Sequence, residues 1–150
     1  MANKKISELT AKGAQLEDSD LVMVSDYNGS TYDTKSVTGA NIRPFKTIIF
    51  NLSQTSTSAP TKNFSYEGEV TQTFTLSRLG VGLYSITASS SLFTFDKTFI
   101  TLNNGLGSNC LLSAARADST NIWIYTRNST TATNTDGILD YSTIEIKIIK

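Results

Sequence analysis

Histidine is absent from the sequence, and cysteine occurs once. Without imidazole the usual zinc and haem sites are excluded, and so is any Ser-His or Cys-His nucleophile. The single Cys110 has no intrachain partner. It sits in the apolar run Cys110-Leu111-Leu112 and reads as a buried, inert thiol. Charge of one sign is also missing: 13 basic and 13 acidic residues cancel, and charged residues make up 17% of the chain. No field is left to draw in nucleic acid or an anionic membrane, so neither is an expected partner. The first residues lack the apolar core of a signal peptide, and no run approaches the length of a membrane span, so the chain is expected to be made and to fold in a cytoplasm. No stretch carries a helical period.

What the chain has is Ser, Thr and Asn in quantity, with 39% apolar residues. That composition supports a thin two-layer core in one ordinary domain of 150 residues, or in a domain with a small appendage. Two stretches organise the remainder. In Arg78–Thr87 a turn-rich lead-in is followed by alternation, with Tyr84, Ile86 and Ala88 on one side and Ser85, Thr87 and Ser89 on the other. Near the end, Ile144, Ile146 and Ile148 alternate with Thr143, Glu145 and Lys147. A period of two marks a strand with one buried and one wet face, which belongs to an antiparallel sheet.

Residues 1–44 read as a separate N-terminal segment. Ile6 and Leu9 are apolar anchors, and Leu21–Val24 is a short β-like run. Asn28-Gly29 predicts a hairpin turn, because both residues tolerate positive φ, and Thr31–Val37 is the return strand. Thr38 caps one predicted helical turn through Ile42, and Pro44 forces Arg43 into an extended conformation that ends the segment. A lone hairpin with so little apolar surface is marginal in water. It either grips another protein or a symmetry mate, with Ile6, Leu9, Leu21 and Val24 as attachment residues, or packs as extra strands on its own C-terminal domain.

From Phe45 to Lys150 the strands come at regular intervals: Phe45–Leu52, Val70–Leu76, Leu83–Ser89, Thr98–Leu102, Asn109–Arg116, Asn121–Arg127 and Thr143–Ile149. A Ser/Thr-rich loop with Pro60 separates the first two, Asn104-Gly105 with Gly107 makes a later turn, and a long loop runs from Asn128 to Gly137. About seven short strands with turn signals between them predict an all-β fold, an antiparallel β-sandwich of jelly-roll-like form. Its interior is expected to hold Ile48, Phe50, Phe74, Tyr84, Ile86, Ile144, Ile146 and Ile148.

Features that could carry chemistry have bland readings. Glu67 and Glu69 are spaced as a carboxylate pair on one strand face, yet read better as solvated charges at a loop edge. Gly80-Val81-Gly82 and Gly105-Leu106-Gly107 lack the strand-to-helix context of a phosphate cradle and are turns. Asp118, Asp136 and Asp140 are too dispersed for a calcium loop. Asn-x-Ser/Thr triplets at Asn28, Asn51, Asn63 and Asn128 are a product of composition. No catalytic residue, metal or cofactor is expected, and the chain does not read as an enzyme.

Asn121–Arg127 stands out because both its faces are apolar, Ile122 and Ile124 on one and Trp123 and Tyr125 on the other. Such a strand is covered twice, by a second subunit or by the core, or its aromatic row stacks on the apolar face of a sugar. Trp123, Tyr125 and Arg127 are therefore the candidate subunit-interface or receptor-contact residues.

The opening residues Lys5-Ile6-Ser7-Glu8-Leu9-Thr10, then Asp20-Leu21-Val22-Met23-Val24 and Thr31-Tyr32-Asp33-Thr34-Lys35, resemble the N-terminal segment of many tailed-phage virion proteins. The later stretches Arg78–Tyr84, Asp96-Lys97-Thr98, Asp136–Leu139 and Ile144-Glu145-Ile146 resemble β-rich virion appendage proteins, especially those of crAss-like phages on Bacteroidetes hosts. Together the two likenesses cover most of the chain. They imply a virion structural protein, a head fibre, tail fibre or capsid decoration subunit, localised to the virion and commonly homotrimeric. Its N-terminal segment would attach it to capsid, collar or tail proteins. No long shaft is present, which favours a short knob or fitting. The alternative expectation is a receptor- or carbohydrate-binding module on the particle, taking a host surface glycan.

Overall fold

The computed structural model describes residues 21–27, 29–38, 42, 44–68, 70–105 and 109–150. Ile6, Leu9, Asn28, Glu69, Gly107 and most of the predicted Thr38–Ile42 turn lie outside the described residues. The chain divides into two compact units, Met1–Arg43 and Pro44–Lys150. Each is described by itself.

In the first unit β1 (Leu21–Tyr27) pairs antiparallel with β2 (Tyr32–Thr38) as a two-stranded sheet. The connection uses Gly29 at φ 97°, a conformation open to glycine at little cost. The Tyr27 and Tyr32 rings meet across the end of the hairpin, 5.0 Å between centroids, and the Tyr27 hydroxyl donates to the Gly29 carbonyl. The register runs without a bulge from Leu21↔Thr38 to Tyr27↔Tyr32. Leu21, Met23 and Tyr27 therefore share one face with Tyr32, while Val22, Val24 and Val37 share the other. Leu21, Met23, Tyr27 and Tyr32 are all more than half exposed.

The second unit is an antiparallel β-sandwich of eight strands in two four-stranded sheets. One sheet has the order β4-β3-β10-β7, with β3 Phe45–Ser53, β4 Thr61–Gly68, β7 Thr98–Asn103 and β10 Ser142–Ile149. The other has the order β5-β6-β9-β8, with β5 Phe74–Gly80, β6 Leu83–Ala88, β8 Cys110–Arg116 and β9 Asn121–Asn128. The central strands β3, β10, β6 and β9 carry the alternation that organises the sequence. Their inward residues Ile48, Phe50, Tyr84, Ile86, Ile122, Ile124, Ile144 and Ile146 have no exposed surface. Phe50 from one sheet meets Phe74 from the other edge-on, 5.3 Å between ring centres. All eight residues expected inside are buried there. Cys110 is buried as well, and burial pushes its thiol pKa up, away from the reactive thiolate.

Two strand expectations needed correction. Val70–Leu76 was expected as a strand, but β5 begins at Phe74 and runs on to Gly80. Val70 lies in the preceding loop and still packs on the core. The loop expected after Pro60 contains β4, an edge strand whose pattern is inverted. Phe64 lies opposite Asn51 and Tyr66 opposite Ile49, on the outer face and exposed, while Lys62 and Glu67 fall on the inward side. The inward charges are tolerated because they pair at 2.7 Å, and the Lys62 ammonium lies 4.8 Å from the Phe50 ring centre. An inward-pointing charge on an edge strand also opposes further strand pairing.

Truncating Ile146 to Ala should cost about 2–5 kcal/mol of stability, by transfer and cavity terms together. Glu145→Ala, one residue earlier on the opposite face, should change stability by less than about 0.5 kcal/mol. Urea unfolding of both variants checks the assignment; equal losses would contradict it.

Candidate interaction surfaces

The outer face of the β5-β6-β9-β8 sheet is built around β9. Its register places Trp123 between Ser85 of β6 and Ala115 of β8, and Tyr125 between Leu83 and Ser113. Arg127, two residues on, lies beside Leu111. The spacing of two thus brings Trp123, Tyr125 and Arg127 onto one row. Trp123 is 39% exposed, so it is not core, while Ile122, Ile124 and Thr126 on the other side of the same strand are fully buried. Small residues on both neighbours leave the indole as the bulkiest group in the middle of the sheet face. Leu111 is half exposed, and Leu79 and Val81 are exposed at the β5–β6 end. Arg127 is held in place: its Nε donates to Asn134 Oδ1 at 3.2 Å, tying the row to the long loop after β9.

A second apolar surface lies on the outer face of the other sheet, and the sequence reading missed it. Phe64 and Tyr66 are exposed there, and Phe45 stands opposite Ile149 across the β3–β10 pair. The signal was available in the alternation of Phe64 and Tyr66 with Asn63, Ser65 and Glu67. On the hairpin of the first unit, Leu21 and Val24 lie on opposite faces, because residues three apart on a strand point apart. The broader exposed face combines Leu21 with Met23, Tyr27 and Tyr32.

Asp136, Asp118 and Glu67 are occupied structurally. Asp136 accepts from Arg78 Nη2 at 2.7 Å and Nε at 3.1 Å, from the Gly82 amide at 2.9 Å and from the Tyr84 hydroxyl at 2.8 Å. The Arg78 hydrogen bonds, against the opposing effect of burial, hold its pKa down to about 2 from the ordinary 3.8. Burial and the bond to Asp136 push the Tyr84 hydroxyl above its usual range. Buried Gln54 extends the network, its Oε1 accepting from the Gly137 amide and its Nε2 donating to the carbonyls of Ser56 and Ser58. This cluster pins the long loop to the β3–β4 and β5–β6 connections. Gly82, at φ 60°, is required in it: a Cβ there would strike the Thr126 carbonyl and the Thr135 amide.

Asp118 closes the β8–β9 turn by accepting from the amides of Thr120 and Asn121, and its pKa is likewise held to about 2, first by the Thr120 amide. Glu67 is paired with Lys62. Among the described residues no group of three His, Cys, Asp or Glu is arranged to hold a metal ion, and no helix is long and apolar enough to cross a membrane. Comparison with protein families, curated proteins and solved structures finds no match to the chain.

The depressed Asp136 and Asp118 values set an acid limb. A carboxylate whose folded pKa lies below its unfolded value contributes stability above the unfolded value, and that contribution is lost as pH falls through the folded one. Stability should therefore decline between about pH 4 and pH 2. Asp136→Asn should be less stable than the parent at pH 7 and lose less over that window. Thermal melts across the pH range measure both; an unchanged acid limb in the variant would remove Asp136 from it.

Proposed function

We propose that this chain is a structural subunit of a tailed-phage particle, a short fibre or decoration protein in which the hairpin unit attaches and the β-sandwich projects. The observation that carries the reading is the outer face of β9. Trp123 stands 39% exposed at the middle of a folded sheet, with Tyr125 and Leu111 nearby, and a large aromatic so placed suits the centre of a contact between subunits. Homotrimeric assembly through this face would supply burial that a thin sandwich lacks by itself. The likeness of the N-terminal segment to virion attachment segments supports the division of labour. So does the exposed apolar face of Leu21, Met23, Tyr27 and Tyr32, which a two-stranded hairpin cannot stabilise without something to dock on. Three copies of a weak grip on one projection would combine by avidity. The partners would be capsid, collar or tail proteins.

A second reading places a receptor or glycan on the same face. Trp123, flanked in register by Ser85 and Ala115 and 39% exposed, would offer its ring for a pyranose to stack on. It competes directly with the first, because a ring covered by a subunit is closed to a sugar.

Deleting residues 1–42 should leave a folded, assembled sandwich that no longer joins particles. Incorporation is measured by producing tagged full-length and truncated chains in infected cells and purifying virions. Loss of the truncated chain from particles, with its assembly in solution retained, is the expected result. Normal incorporation would move attachment to the sandwich.

A further inference from the structure

Edge strand β4 changes side partway along. Lys62 points inward opposite Leu52, and regular alternation would turn Asn63 outward and Phe64 inward. The ladder instead skips Asn63: Leu52 pairs with Lys62, and Asn51 with Phe64. Asn63 is thus the extra residue of a β-bulge, and it re-aims every side chain after it. Phe64 and Tyr66 are sent outward and exposed, while Ser65 and Glu67 take the inward positions opposite Phe50 and Ile48. Polar contacts hold the bulge on the outer face. Asn63 Nδ2 donates to Asn51 Oδ1 at 3.1 Å and to Ser53 Oγ at 2.7 Å. Asn51 Nδ2 in turn donates to the Tyr141 carbonyl at 2.9 Å, and the Tyr141 amide donates to Ser53 Oγ at 3.0 Å. The bulge is therefore tied through β3 to the start of β10. Tyr66 is accommodated by Gly68, where a Cβ would strike its ring.

We propose that β4 is a two-register strand, with the Asn63 bulge as the catch that keeps Phe64 and Tyr66 on display. In the competing register residues 64–68 slide by one along β3, and Asn63 is absorbed into a regular ladder. Phe64 then lies opposite Phe50 and Tyr66 opposite Ile48, both inward, while Ser65 and Glu67 turn out. Because β4 is the edge of its sheet, the slide breaks and remakes hydrogen bonds with one neighbour only. Its inward side is open enough to take the rings: Ser65 is exposed there, and the Lys62 and Glu67 side chains each keep 29% of their surface in water. Incoming rings would meet the Phe50–Phe74 pair, where the Lys62 ammonium now stands 4.8 and 5.9 Å from the ring centres. The Lys62–Glu67 pair that the slide gives up is solvent-screened and contributes little. Healing the bulge from the other side would turn Asn63 inward in place of two aromatics. It would also move Pro60, which is buried, and Thr61, whose Oγ1 donates to the Ser53 carbonyl at 3.2 Å. Apolar burial favours the slid register, so the polar catch selects the displayed one. The switch involves neither the β9 face nor the hairpin unit.

Cross-strand backbone NOEs recorded on the full chain report the register. In the parent they should pair Phe64 with Asn51. Asn63→Val, which lacks both amide bonds of the catch, should pair Phe64 with Phe50 and bring its ring into NOE contact with Phe74. Deleting Asn63 removes the same bonds together with the extra residue, so Lys62 inward and Phe64 outward alternate without a bulge. That chain should keep the pairing of Phe64 with Asn51. Thermal melts read the switch a second way. Phe64→Ser should lower the parent's Tm by less than about 3 °C, because the ring is exposed. In the Asn63→Val background the same change should lower it by about 10 °C or more. Retention of the Asn51 pairing by Asn63→Val overturns the proposal, and so does its failure to fold, since no second register would then exist. Pairing of Phe64 with Phe50 in the deletion chain, or equal effects of Phe64→Ser in the two backgrounds, overturns it as well.

Discussion

The structure rests on the contact between two inner faces, that of β3 with β10 and that of β6 with β9. Each central strand contributes buried apolar side chains at a spacing of two, isoleucines in β9 and β10, Ile48, Phe50 and Leu52 in β3, and Tyr84, Ile86 and Ala88 in β6. The layer is one side chain deep from each sheet, so nothing further in can compensate for a lost methyl group. The remaining strands are edges hung on this pair of pairs, and the long loops are bound to its ends. Burial on the inner faces is what stabilises the unit, and it leaves the outer faces free to differ from strand to strand.

The polar cluster at one end solves a problem that this thin core creates. A loop from Ser129 to Tyr141 cannot bury much apolar surface, with Leu139 as its main anchor in the core. It is ordered by Asp136, which gathers Arg78, Tyr84 and the Gly82 amide onto one carboxylate, and by Gln54. A half-buried carboxylate is retained at little cost when every acceptor site is used and a guanidinium lies against it. The same economy governs β4. There Lys62 and Glu67 close the open edge of the core, and Phe64 and Tyr66 are left outside.

The core was legible because it obeys the period of two: Tyr84, Ile86, Ile144, Ile146 and Ile148 are where alternation puts them. Strands β8 and β9 were legible as the closely spaced runs Asn109–Arg116 and Asn121–Arg127. Edge strand β4 was not, because an edge strand needs only one paired side and can face its aromatics outward, so polarity no longer marks the buried face. Asp136 gave no sign of its role, since its partners Arg78, Gly82 and Tyr84 are 52 or more residues away. Of the candidate interaction residues, the β9 row was readable from its two apolar faces. Leu21 and Val24 fall on opposite faces of the hairpin, as a strand period of two implies.

The proposed assembly turns on the exposed side of β9. Its burial state is measurable directly, because Trp123 is the only tryptophan in the chain. Tryptophan emission and iodide quenching recorded across a dilution series, alongside sedimentation of the same samples, report whether that ring is covered when subunits associate. The account predicts that emission moves to the blue and quenching falls in step with the passage from monomer to trimer. Emission that stays solvent-like while the chain assembles, or a chain that remains monomeric at high concentration, would contradict it.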